Sequence, residues 1–139
     1  MKQNLPRKAC PVILRLTPQG QTQILAFTHP SAGKQLVKGT IEPGEAPADA
    51  TLRELAEESG ITQAKISQDL GPFEVGPPHQ LWYAFLCQTG DLPDAWTFFT
   101  ADGGGLEFGF FWHPLEEPAD DGWRFIFGQA LDRIRRALG

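Results

Sequence analysis

The chain is poor in cysteine, carries more acid than base, and has no long apolar run. Its two cysteines, Cys10 and Cys87, both sit in short apolar stretches and read as buried core thiols, not as a disulfide or a nucleophile. Twelve Lys and Arg against seventeen Asp and Glu leave a net charge of −5 and a pI near 5.1. That balance argues against a broad nucleic-acid or membrane footprint. No span of 18 apolar residues and no leader with an apolar h-region is seen, so the expectation is a cytoplasmic protein with no membrane partner. Repeats and low-complexity segments are absent as well. An acidic protein can still bind phosphate where a metal ion inverts the local field.

What the chain does have is enough apolar and aromatic content, 41% and 11%, for one core, and 139 residues suit one domain over residues 1–139. Residues 1–9 are polar and basic and read as a loose tail. Short β-branched or aromatic runs predict strands at 10–16, 23–28, 35–37, 81–88, 96–100 and 106–112, with broken extended chain over 64–75. The 81–88 run is apolar on both alternations, as a central strand covered on both faces would be. From about residue 121, Phe127, Leu131, Ile134 and Leu138 form a helical stripe. Strands, helix, strands, helix predict an α/β fold, a mixed β-sheet between helical layers.

The most informative stretch is 39–61, GTIEPGEAPADATLRELAEESGI. A Gly- and Pro-rich loop runs into a helix with Pro47 in its first turn, Asp49 near its N-terminus and Gly60 at its C-terminal end. Glu54, Glu57 and Glu58 stand at i, i+3 and i+4 and so share one helix face. Each like-charge pair costs about 0.2–0.5 kcal/mol even when exposed, and Arg53 offsets part of this because Glu57 lies four residues on. A hard divalent cation would resolve the repulsion, since Mg²⁺ and Mn²⁺ prefer carboxylate oxygen. On the helix alone, a solvated acidic face accounts for the pattern equally well.

The spacing of the whole stretch resembles the Nudix box, GX5EX7REUXEEXGU with U aliphatic, of the Nudix hydrolase family. Gly39, Glu45, Arg53, Glu54, Leu55, Glu57, Glu58, Gly60 and Ile61 fill every constrained position. The resemblance implies an α/β/α sandwich with the box helix on the sheet. It also implies hydrolysis of a phosphoanhydride in a nucleoside diphosphate linked to another moiety, with Mg²⁺ or Mn²⁺ as cofactor.

Carried over by position, the resemblance makes Glu57 and Glu58 metal ligands, with the Gly39 carbonyl as a further oxygen and Glu54 a ligand through water or the general base. Arg53 would orient a box carboxylate, and Glu45 would hold the loop or approach the metal from outside. Lys38 is a candidate for phosphate. Glu107, with Asp102 as runner-up, is the candidate carboxylate from outside the box. His79, Trp82, Tyr83, Phe99 and Trp112 are aromatic residues that a base could stack on. The expected partner is a small-molecule nucleoside diphosphate derivative, bound by a monomer or homodimer. A catalytically silent Nudix-fold nucleotide-binding or sensor module is the alternative. Silent members usually lose a box carboxylate, and here none is lost.

Overall fold

The apolar run at 10–16 does not stay in one sheet. In the computed structural model, which describes residues 4–101 and 105–139, it divides at Ile13. Strand β1 (Arg7–Val12) pairs in parallel with β8 (Gln80–Thr89), setting Ala9 beside Tyr83 and Cys10 beside Ala84. Strand β2 (Leu14–Leu16) crosses over to pair antiparallel with β3 (Thr22–His29). Pro11 lies beyond the reach of β5 (Gly39–Thr40), which pairs only with Lys8 and Ala9, so its missing N–H is tolerated there.

Two five-stranded sheets result where one mixed sheet was expected. The first is mixed, in the order β5-β1-β8-β6, with β6 (Ala64–Asp69) along β8 and β7 (Phe73–Val75) also on β8. The second is antiparallel, β2-β3-β10-β9, with β9 (Trp96–Thr100) and β10 (Leu106–Pro114) forming a pair and β4 (Gly33–Gln35) on β3. The chain is tied into the first sheet from Arg7, and Ala9 is fully buried, so the loose tail expected over 1–9 is cut short by β1.

Alternation along β8 separates two apolar layers. Trp82 and Ala84 join Phe127, Leu131 and Ile134 of α2 (Phe125–Leu138), whereas Phe85 and Cys87 join Leu55 of α1 (Pro47–Ser59) together with Phe27, Phe108 and Phe110. Each large side chain fully buried there contributes about 1.5–3 kcal/mol. The central-strand reading of 81–88 and the stripe on α2 therefore correspond to the two covered faces. Helix α2 begins at Phe125, later than the pattern alone suggests. Before it, the Asp120 carboxylate accepts the Gly122 N–H at 2.8 Å, and Trp123 bridges to Lys34. Neither helix is long and apolar enough to cross a membrane.

Candidate active site

Helix α1 starts and stops where its sequence says it should. Pro47 occupies the first turn, and Gly60 adopts φ 79°, its N–H reaching the Ala56 carbonyl at 3.0 Å. A side chain at Gly60 would also strike the Phe98 ring, which seats the helix end against β9. Thr51 is fully buried and gives its hydroxyl to the Pro47 carbonyl at 2.8 Å. From the other end, the Thr100 hydroxyl of β9 reaches the Glu57 carbonyl at 3.1 Å. The helix is thus pinned along its length, and its acidic face is held in a definite orientation.

The three box glutamates do not share one environment. Glu57 is the open one, its side chain 45% exposed. Glu58 is half-buried and opposes the repulsion of nearby cations at Lys38. Glu54 is buried, only 7% exposed, and its carboxylate lies directly over Gly39. A Cβ added at Gly39 would stand 1.9 Å from the Glu54 Cδ, so only glycine lets this loop and this carboxylate meet. The first glycine of the box is needed here for space.

Arg53 ties the loop to the helix. Its Nε donates to Glu45 Oε2 at 2.7 Å and its Nη2 to Glu45 Oε1 at 2.8 Å, a bidentate pair. Nη1 reaches Glu54 Oε1 at 2.8 Å and Glu57 Oε1 at 3.1 Å, while Nη2 also meets the Thr40 carbonyl at 3.0 Å. The Arg53 bonds and the Glu42 N–H hold the Glu45 carboxyl down at about 2. Glu45 above all, and Glu54 with it, keep Arg53 firmly charged against the opposing effect of burial. Expected to orient a box carboxylate, Arg53 touches three of them, Glu45, Glu54 and Glu57, and the Thr40 carbonyl besides.

The donor type suits a hard divalent cation: carboxylate oxygens on one helix face, with the Gly39 backbone against them. Among the described residues, however, no three His, Cys, Asp or Glu side chains converge as a ready-made cation site. In this arrangement Arg53 supplies the positive charge to Glu54 and Glu57, meeting each carboxylate at Oε1.

Residues outside the box divide. Lys38 lies next to the site, its ammonium 6.0 Å from the Phe127 ring centroid, and its pKa is lowered by burial and then by Lys8 and Arg124. Lys8 belongs to the stretch read as a tail, and Arg124 to the stretch read as a helix.

Glu107 is exposed and pairs with Phe99, whereas its neighbours Phe108 and Phe110 join the Leu55 layer. Period-two alternation sets it apart from that layer. Asp102 lies outside the described residues.

The aromatic candidates are spread over the molecule. Tyr83 packs on Ala9, Ile41 and Ala50 under the Arg7 guanidinium, beside the start of α1. Trp112 lines a separate cleft of about 590 Å³ with Leu14, Leu86 and Asp91, stacked under Arg15 at 4.4 Å. No box residue lines that cleft. Trp82 is wholly buried in the α2 layer, and His79 pairs with Glu74 at 3.2 Å.

Comparison with solved structures places this architecture among known folds. The chain resembles the crystal structure of a UDP-X diphosphatase with a TM-score of 0.69 at 14% identity, covering 99% of this chain and 64% of that one. It spans, then, less than two thirds of that relative's length. It resembles a Nudix hydrolase from M. smegmatis, RenU, equally well, at 15% identity over 96% of this chain and 86% of the other. A C. elegans Ap4A hydrolase in binary complex matches with a TM-score of 0.67 at 20% identity, covering 96% and 98%. No curated protein sequence matches. The family model of the NUDIX domain matches residues 6–132, a span that takes in the complete box, α1, the strands from β1 to β10 and the first part of α2. The chain belongs to the NUDIX domain family.

Proposed function

We propose that the protein hydrolyses a phosphoanhydride bond in a nucleoside diphosphate derivative, with Mg²⁺ or Mn²⁺ bound at the acidic face of α1. The observation that carries this reading is the set of Glu54, Glu57 and Glu58 on one pinned helix face, with Glu54 against Gly39. Likeness to structures named as a UDP-X diphosphatase and an Ap4A hydrolase supports the same bond class.

Glu57, Glu58, the Gly39 carbonyl and Glu54 would hold the cation. When bound, it offsets phosphate charge and eases deprotonation of water at neutral pH. The chain's own residues do the rest. Glu54, buried and fixed by Arg53, is placed to accept a proton from an attacking water. Arg53 holds Glu45 and Thr40 so that the Gly39 loop keeps its register with the helix. Glu58, half-buried on α1, adds its carboxylate to the set.

The test is a hydrolysis screen over nucleoside triphosphates, nucleotide sugars, ADP-ribose and dinucleoside polyphosphates with Mg²⁺ and Mn²⁺. Single-turnover rates of wild type and Glu58→Gln at saturating metal follow. Losing about 3 kcal/mol of transition-state stabilisation slows the reaction by roughly a hundredfold or more. Equal rates in two folded proteins would show that this face is not the catalytic centre, and an inert wild type across the screen would favour a silent binding module.

A further inference from the structure

Among the described residues, every edge strand but one is guarded against pairing with another chain. Strands β2, β4, β5 and β7 run for only two or three residues. Strand β6 carries Lys65 and Asp69, and an irregularity breaks its ladder between Ile66 and Gln68. Short length, charge and bulges all keep an edge from acting as a template. Strand β9 has none of these. Its residues, Trp96-Thr97-Phe98-Phe99-Thr100, are uncharged and all of strand-forming type, and among the described residues its one strand partner is β10.

One face of this edge carries a knob and a hollow. Phe98 rests against Gly60, and Phe108 and Phe110 join the Leu55 layer. Thr97, Phe99 and Gly109 alternate with them and share the other face. There Phe99 is 69% exposed, its ring backed by Gly105. Gly109 pairs with Thr97 on one side and Thr28 on the other, and it floors an open hollow of about 680 Å³ edged by Lys34 and Phe111. A Cβ built on Gly109 would meet nothing within 4 Å.

A two-fold axis through Phe98, perpendicular to the sheet, brings knob and hollow together. It pairs β9 antiparallel with β9 of a second copy and sets Thr97 beside Phe99 of that copy. The row Thr28-Gly109-Thr97 then continues into this second ring, which leans over the short Thr97 side chain toward the hollow. The same contact recurs on the other side of the axis, as an isologous interface requires. An unrelated partner would have to supply both a strand and a matching knob, and this chain already has both. We propose that β9 is a homodimer edge, through which two copies form one continuous antiparallel sheet with each Phe99 seated toward the other copy's Gly109. The contact is small for a specific interface, so monomer and dimer exchange at micromolar concentration.

Sedimentation velocity over a micromolar concentration series tests this on wild type, Phe99→Ser, Gly109→Glu and Leu16→Ser. Wild type should pass from monomer to dimer within the series. Phe99→Ser removes the knob, and Gly109→Glu fills the hollow from a position where a Cβ meets nothing. Each should raise the dissociation constant at least tenfold. Leu16 is as exposed as Phe99 but stands on β2, so Leu16→Ser should leave the constant unchanged. A wild type that stays monomeric, or a dimer that both edge variants leave intact, overturns the proposal, as does equal weakening by Leu16→Ser. Thermal melts establish that the variants are folded. Hydrogen exchange on wild type gives a readout that needs no variant: amides over residues 97–99 should be slower to exchange at high protein concentration than at low. Exchange there that is independent of concentration also overturns the proposal.

Discussion

Gly39 and Glu54 lie so close that a single methyl group cannot be placed between them: a Cβ on Gly39 would meet the Glu54 carboxylate at 1.9–2.3 Å. Loop and helix therefore depend on each other at this point. Gly39→Ala is expected to push the Glu54 carboxylate aside, lowering turnover about a hundredfold and costing about 1–3 kcal/mol of stability through overpacking. Adding Glu54→Asp, which shortens the obstructing side chain, should recover stability but not turnover. Thermal melts and single-turnover rates on the three variants check this, and a fully active Gly39→Ala protein would contradict it.

Arg53 gives two parallel bonds to Glu45, and Lys cannot reproduce that fork. Arg53→Lys should lower turnover by about tenfold, equivalent to ~1.4 kcal/mol. Glu45 also sets an acid limit. Its folded-state pKa, about 2, is below the ordinary 4.5, so its stabilising effect is full above pH 4.5 and is lost as pH falls toward 2. In Glu45→Gln, melting temperature should vary less steeply with pH across that window than in wild type. Parallel curves would show that the pair has no part in acid unfolding.

Thr100 fastens the second sheet to the box helix through the Glu57 carbonyl. Thr100→Val keeps the shape and removes the donor, and it should cost about 1–2 kcal/mol by denaturant unfolding. Its effect on KM should be small, because the bond reaches backbone and leaves the Glu57 carboxylate alone. A variant as stable as wild type would mean that this bond contributes nothing net.

Metal should bind the folded state preferentially. At a free concentration a hundred times the dissociation constant, the stability gained is about 2.7 kcal/mol. Calorimetry with Mg²⁺ or Mn²⁺ should show that increment in wild type and a smaller one in Glu57→Gln. No metal-dependent change in wild type would remove the cation from the reading.

The thiols should be inert in the native protein. Burial pushes Cys87 up to about 11 and Cys10 further still, so neither offers thiolate near neutral pH. A thiol-reactive chromophore at pH 8 should label neither residue until the protein unfolds. Stoichiometric labelling of the native form would contradict their burial.

The box helix could be read from the chain because everything that makes it is local. Pro47 and Gly60 bound it, the i, i+3, i+4 spacing places the glutamates on one face, and Arg53 meets Glu57 one turn along. The paired alternation of 81–88 and the stripe on α2 were local too, and both became the two covered layers. Other features depend on contacts between residues far apart in the chain. Periodicity could not divide 10–16 between two sheets, because both halves are apolar and only their partners, β8 and β3, differ. Nor could it bury Glu54, whose environment is made by Gly39 fifteen positions earlier. Nor could it set Glu107 opposite Phe99, because register is a property of the pair of strands.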